Sequence, residues 1–267
     1  FTPNLKNSTL KFLMLKKMSK EITAGILVIG DEILSGRTKD KNIGYIAECL
    51  TTVGINLSEA RVVPDDETRI ISALNEMRNN YTYVLTTGGI GPTHDDITAD
   101  CVAKAFGVEI SENDEAIKML LERIPAADLN ESRRRMARIP HGAKLVENKV
   151  SKAPGFQLGN VFVMAGVPSI MQAMLDVVIT RMETGTKLLS CTIKTNIKEG
   201  DIAPILRAIQ EENHSVTIGS YPFYNDTGFG ANVVCRGKDA SVIKKVCNEI
   251  VARLSSYGKL EIDEEIK

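Results

Sequence analysis

Seven consecutive residues, Ala24-Gly25-Ile26-Leu27-Val28-Ile29-Gly30, carry no polar side chain and end at Asp31. A strand with one wet face alternates polar and apolar residues. An unbroken apolar run reads instead as a strand covered on both sides, the habit of parallel sheets. The next segments extend that reading. Asn42 to Val53 sets Ile43, Ile46, Ala47 and Leu50 on one helical face, with Gly54 as the stop. Ile55–Val63 reads as a second strand ended by Pro64. Glu67 to Asn79 reads as a helix with Ile70, Ile71, Leu74 and Met77 inward. Tyr81–Thr87 is a third strand running into Gly88-Gly89, and a third helix is expected to follow Thr93 and stop at Gly107. Strands alternating with helices need crossover connections, so the predicted fold class is α/β, a three-layer, parallel-rich sheet with helices on both faces. Ligands of such sheets collect at the carboxyl ends of the strands. That rule selects the loops Asp31–Lys39, Pro64–Thr68 and Gly88–Thr98, and later Gly166-Val167-Pro168 after the strand Val161–Met164.

The stretch Ser111 to Gln157 is less regular. It predicts helices from Asn113 to Ile124 and around Asn130 to Ala137, the second carrying Arg133-Arg134-Arg135. A solvated helix face is the ordinary meaning of such a run; the alternative is that one of these arginines, or Arg138, reaches a ligand phosphate. After about Gly185 the pattern changes. Strands at Leu188–Thr195, Val216–Tyr221 and Ala231–Arg236, with helices at Asp201–Asn213 and Ala240–Leu254, predict a small α+β domain. The expected domains are therefore 21–184 and 185–267. Residues 1–20 form a basic tail without the long apolar stretch of a signal peptide, and Met18 before Ser-Lys-Glu reads as a natural start.

Composition narrows the function classes. With 33 basic against 34 acidic residues and a net charge of −1, the chain is not a bulk nucleic-acid or membrane-surface binder. It has no apolar run long enough to span a bilayer. The five cysteines, Cys49, Cys101, Cys191, Cys235 and Cys247, form no CxxC pair, which removes support for zinc-ribbon and thioredoxin readings. Buried reduced thiols fit a cytoplasmic setting. Tyr221, Phe223 and Tyr224 form an aromatic cluster read as core packing or a subunit contact, because no basic residue is interleaved with them.

The most informative stretch is Thr86-Thr87-Gly88-Gly89-Ile90-Gly91-Pro92-Thr93-His94-Asp95-Asp96-Ile97-Thr98. Its glycines permit tight turns and close ligand approach, and backbone N–H groups at Gly88, Gly89 and Gly91, with those opening the next helix, would make an anion site. Taken alone the stretch could be a strand-to-helix turn, with Thr93 and Asp96 as a capping box. It is neither a P-loop nor a dinucleotide fingerprint. Phosphate binding does not want Asp95 and Asp96 nearby unless a divalent cation bridges carboxylate and phosphate. Asp31-Glu32 and Asp65-Asp66 bring two further acidic pairs to the same sheet edge, each also explicable as helix capping. His94 is either a phosphate contact or a plain surface residue, and Pro154-Gly155-Phe156 is expected to close over the ligand with Phe156 stacking on a ring.

Gly30-Asp31-Glu32-Ile33-Leu34-Ser35-Gly36, Asn42, Pro64-Asp65-Asp66 and the glycine loop together resemble the molybdopterin-binding superfamily. The nearer resemblance is to the amino-terminal domain of the competence/damage-inducible protein A family. Arg138-Ile139-Pro140 and Met164-Ala165-Gly166-Val167-Pro168 are also similar to the molybdopterin-binding-like domain of eukaryotic FAD synthases. The resemblance implies a metal-dependent hydrolase of a nucleotide pyrophosphate of the ADP-ribose or FAD class. The alternatives it implies are a molybdopterin-binding protein of molybdenum-cofactor biosynthesis and a non-catalytic nucleotide-binding module. It points to Asp65 and Asp96 as catalytic residues. It places Asp31, Glu32, Asn42, Thr87, Gly88, Gly89, Gly91, Thr93, Thr98, Gly155, Gly166 and Pro168 against a phosphorylated ligand. Asp31 and Asp96 would take a divalent cation (Mg, Mn or Co), molybdopterin is the alternative ligand, and a homodimer or homotrimer is expected.

Overall fold

The computed structural model describes residues 21–225, 228–263 and 266. The reading of residues 1–20 as a tail lies outside them. The chain divides into two units between Gly185 and Thr186.

The first unit is built on a six-stranded sheet. Its members are β1 (Thr23–Ile29), β2 (Asn56–Val63), β3 (Tyr83–Thr87), β6 (Lys144–Val146), β7 (Gly155–Leu158) and β8 (Val161–Met164). Their order across the sheet is β2-β1-β3-β8-β7-β6. The four strands β2, β1, β3 and β8 run parallel; at one edge β7 pairs antiparallel with β8 and β6 antiparallel with β7. The apolar run of β1 explains the layering. Its odd residues Leu27 and Ile29 pack with Ile70, Leu74 and Met77 of α3 (Glu67–Asn80) and Cys101 and Val102 of α4 (Thr98–Phe106). Its even residues Ile26 and Val28 pack with Ile46 and Leu50 of α2 (Asn42–Thr52) and Met171, Met174, Leu175 and Val178 of α7 (Pro168–Ile179). Successive side chains of a strand point to opposite faces, so a both-faces-apolar strand demands helices on both sides. The predicted α/β class is the observed one.

Several local expectations change. Asp31 opens α1 (Asp31–Leu34), a single helical turn, where the sequence reads as a loop. The helix after the glycine loop begins at Thr98, not just after Thr93. Residues 93–96 form their own turn, closed by the Asp96 N–H donating to the Thr93 carbonyl at 3.3 Å. The helix expected from Asn113 to Ile124 is present but shorter, α5 (Asp114–Leu121) capped by Asn113, and the one expected around Asn130 to Ala137 divides into α6 (Glu131–Arg134) and a 3-10 turn, Arg135–Ala137. The irregular region also holds a two-stranded ribbon, β4 (Ile110–Glu112) with β5 (Arg138–Pro140). Strands of three residues are too short to show a period of two, so this ribbon leaves no sequence signal.

The second unit is a four-stranded antiparallel sheet with two helices. It comprises β9 (Leu189–Thr195), β10 (Val216–Asn225), β11 (Gly228–Gly237) and β12 (Leu260–Ile262), with α8 (Glu199–Glu212) and α9 (Ala240–Leu254). The strand order is β10-β11-β9-β12. Ile193, Val233 and Cys235 pack with Ile202, Ile209, Ile243, Val246 and Ile250 of the two helices. The three-residue β12 has no counterpart among the expected strands. The aromatic cluster is not core: Tyr221 is 46% exposed and Tyr224 90%.

Candidate functional site at the carboxyl ends of the parallel strands

The glycine loop leaves β3 beside the carbonyl end of β1. Gly88 has φ +103°, and a Cβ there would lie 2.1 Å from the Ile29 carbonyl oxygen. Only glycine permits this crossing. The Gly88 N–H continues the sheet ladder to the Met164 carbonyl at 3.1 Å, so it is not free for an anion, contrary to the sequence expectation. The N–H groups of Gly89 and Gly91 have no acceptor among the described residues. Thr98 turns back to brace the loop. Its N–H donates to the Gly89 carbonyl and its buried hydroxyl to the Gly88 carbonyl, both at 3.0 Å. Thr87 is also buried, within the strand end. Neither threonine lines the cleft that opens over the loop; the Thr98 hydroxyl is spent on the loop, whereas the buried Thr87 hydroxyl has no partner among the described residues.

Asp96 stands at the loop's far end. Its carboxylate accepts from the Thr93 N–H at 2.8 Å and from the Thr93 hydroxyl. Only one limb of the capping box therefore forms, the Thr93 N–H to the Asp96 carboxylate, and it closes a loop turn and does not start a helix. The Thr93 hydroxyl proton is committed to Asp96 and not offered to phosphate. Arg135 donates to the Asp96 carbonyl at 3.3 Å, which joins the irregular region to the loop.

A cleft of about 810 Å³ opens over the loop. Of the residues singled out from sequence it is lined by Glu32, Gly88, Gly89, Gly91, Asp96, Gly166 and Pro168. Asn42 lies beneath, 4% exposed, its amide donating to the Gly166 carbonyl at 2.8 Å. It fixes the fourth loop from below. Its Oδ1 is buried with no partner among the described residues. Asp31 and Asp65 do not line the cleft; Asp31 precedes Glu32, which does, and its N–H donates to the Asp65 carboxylate at 3.0 Å. Burial pushes the Asp65 carboxyl above the ordinary aspartate range; the Asp31 N–H pulls it back, while Asp31, Glu32 and Asp95 push it further up. Two carboxylate-bearing loops thus meet, as the strand-end rule requires. Among the described residues no group of three or more His, Cys, Asp or Glu side chains is arranged around a metal position.

Gly155 does not line the cleft: it is a β7 residue whose close neighbour is the Val163 carbonyl, and it is corrected from a ligand contact to sheet packing. Phe156 is 2% exposed within the core and borders a small pocket together with Gly89, Gly91 and Asp96. Arg138 forms a two-pronged pair with Asp100 at 2.6 and 2.9 Å, and both border a small pocket with Gly91 and Asp96. Arg134 pairs with Glu112. Of the arginine run only Arg133 lines the cleft, donating to the Asp128 carbonyl. Arg123, Asp128, Asn148 and Ser151 also line it, and sequence reasoning does not find them. Asn148 carries a faint signal: its side chain accepts from the Val150 and Ser151 N–H groups, the local bonding asparagine favours in turns.

These features place the chain in a known family. Residues 25–184 match the family model described as a probable molybdopterin binding domain, and the chain belongs to that family. Residues 187–260 match the model for the FAD synthase middle domain. A protein of Archaeoglobus fulgidus is 33% identical over 224 residues, covering 84% of this chain and 94% of its own length. A CinA-like protein of Citrifermentans bemidjiense is 32% identical over 255 residues, covering 90% of this chain and 60% of its own. The crystal structure of the protein CinA, of unknown function, from Thermoplasma acidophilum is 34% identical with a TM-score of 0.58, covering 61% of this chain and 99% of that one.

Proposed function

We propose that the first unit is a divalent-metal-dependent hydrolase of a nucleotide pyrophosphate, of the ADP-ribose or FAD class. The observation that carries the reading is the meeting of open loop amides with a crowd of carboxylates. The Gly89 and Gly91 N–H groups have no acceptor among the described residues, while Asp31, Glu32 and Asp95 raise the cost of ionising Asp65. Amide donors attract an anion; the carboxylates repel it unless a cation stands between. A magnesium-like ion is held by one or two carboxylates plus phosphate oxygens and water. Asp31 and Asp96 would contribute to holding it, and when bound it would neutralise charge developing on the phosphoryl oxygens. Asp65, with its raised carboxyl, is suited to accept a proton from an attacking water. The cleft's Ile124, Pro125, Met136 and Ile170 give a ring system an apolar seat, and Arg133 offers a charge for the distal phosphate.

The same apolar seat suits molybdopterin, the ligand for which the family is named, and that is the second reading. Product release from ADP-ribose and FAD with Mg²⁺, Mn²⁺ or Co²⁺, followed by chromatography, separates them. AMP formed only with metal, and lost by at least about a hundredfold in folded Asp65→Asn and Asp96→Asn proteins, is the expected result. No product with any metal from folded protein, together with calorimetric binding of molybdopterin, would replace the first reading by the second.

A further inference from the structure

The second unit covers one face of its sheet with α8 and α9 and leaves the other open. Strand register sets Tyr221, Asn232, Lys194 and Glu261 in one row across that sheet. Cations absent from the aromatic segment in sequence reach its rings from other parts of the unit. Lys194 of β9 lies 5.4 Å over Phe223, and Arg236 of β11 lies 5.8 Å over Tyr221. Lys198, just before α8, lies 5.8 Å over Phe229. Phe229 is 48% exposed although large and apolar. No carboxylate among the described residues lies within ion-pair distance of Lys194, Lys198 or Arg236; the pairs of this unit involve Arg253 and Lys259. A cleft of about 170 Å³ is lined by both phenylalanines with Lys194, Asn196, Lys259 and Glu261. Gly230 lets the Phe223 ring lie against the sheet, since a Cβ there would sit 2.8 Å from the ring and 2.0 Å from the Thr195 carbonyl oxygen.

We propose that this face is a second binding site, for a nucleoside monophosphate. The half-buried ring of Phe223 supplies stacking surface, which every base can use, and Phe229, which precedes Gly230 and so projects to the other side of β11, borders the end of the same cleft. Lys194, which lines the cleft with no ion-pair partner among the described residues, supplies charge for the phosphate, and Asn196 and Glu261, the latter paired with Lys259, supply polar contacts for ring or ribose. Two features favour a single nucleotide over a strand. The cleft has room for about one ring system. Residues 186–267 carry eleven basic and eleven acidic side chains, so the unit has no excess charge to track a polyanion. The start of the β10 edge is also blocked against pairing with another strand. Gln210 of α8 takes the Ile218 N–H and the Val216 carbonyl at 2.7 Å each, and Pro222 has no N–H to give.

The test is a residue-resolved NMR titration of the full chain with AMP, with adenosine and inorganic phosphate as separate arms. AMP is expected to shift the amides of β9, β10 and β11 with a saturation curve of their own, and each separate arm to bind less tightly. The double substitution Lys194→Ala, Phe223→Ala should weaken those shifts by at least roughly tenfold and leave the glycine-loop amides responding as before. Lys194→Arg with Phe223→Tyr should restore them. Amides of the open face that stay still at saturating AMP, or respond equally in the alanine variant, would overturn the proposal. An oligouridylate binding a hundredfold more tightly than AMP would overturn the mononucleotide in favour of single-stranded RNA. A fall in molar mass by light scattering in the alanine variant, with no change in AMP response, would assign the face to a second copy of the chain.

Discussion

The two units of this chain solve the burial of a sheet in opposite ways. In the first, β1 is apolar on both faces and helices cover both, so the places open to a ligand are the loops at the strand ends. In the second, helices cover one face, and the other remains a surface of Lys194, Tyr221, Phe223 and Arg236. A parallel sheet confines chemistry to an edge where several loops converge; a one-sided antiparallel sheet offers a flat face instead. Backbone amides and carboxylates therefore dominate the first site, and side-chain rings and cations the second.

The largest effect that would test this contrast is core truncation. Phe162→Ala in central β8 should cost about 3–5 kcal/mol, and Ile193→Ala in β9 about 2–5 kcal/mol; both side chains are fully buried. Denaturant titration with a probe in each unit is the measurement. Each substitution should lower the midpoint of its own unit more than the other's, and equal shifts in both would break the two-unit description. Next in size is Arg138→Ala, which unpairs Asp100 and releases β5 from α4. Loss of a charged, two-pronged hydrogen bond should cost about 1.5–3 kcal/mol of first-unit stability by the same titration.

A smaller effect concerns Asp65. Its pKa is raised on folding by burial, then by neighbouring carboxylates, so the folded state holds the proton more firmly than the unfolded chain. That contribution favours the fold at pH values below the ordinary aspartate value and is lost as pH rises through the raised one. Asp65→Asn keeps an acceptor for the Asp31 N–H and has no charge to bury. It should raise the melting temperature near pH 7, with the gain shrinking as pH falls toward about 4. A gain that grows on acidification would reverse the sign and remove the case for a strained carboxyl at this site. Smallest is the response of the thiols. Burial pushes Cys101 up to about 12, and burial with a hydrogen bond to Cys247 does the same to Cys191. In folded protein a thiol reagent should modify half-buried Cys49 first and leave these two intact by mass spectrometry.

Much of the first unit is legible in the sequence because long apolar runs and helical periods are local properties of the chain. β1, α2, β2, α3 and β3 follow from them within a residue or two. The convergence of the Asp31, Asp65 and glycine loops follows as well, since parallel strand ends share an edge. The irregular region resists. Arg133, Arg134, Arg135 and Arg138 look alike in sequence, yet one lines the cleft, two pair with acids and one holds the Asp96 carbonyl. Gly155 and Phe156 suit a ligand-closing loop in sequence as well as they suit strand β7.

By itself, then, the sequence determined the layering, the helices on both faces of one sheet and the edge where the Asp31, Asp65 and glycine loops converge, because hydrophobic period and glycine placement act within a few residues. The tertiary structure alone decided which hydroxyls were already spent on the loop, which arginine faced the cleft and which cations lay over Phe223, Tyr221 and Phe229. Those depend on partners distant in the chain, and hydrogen-bond and charge pairing is settled only when packing brings such groups within a few ångströms of each other.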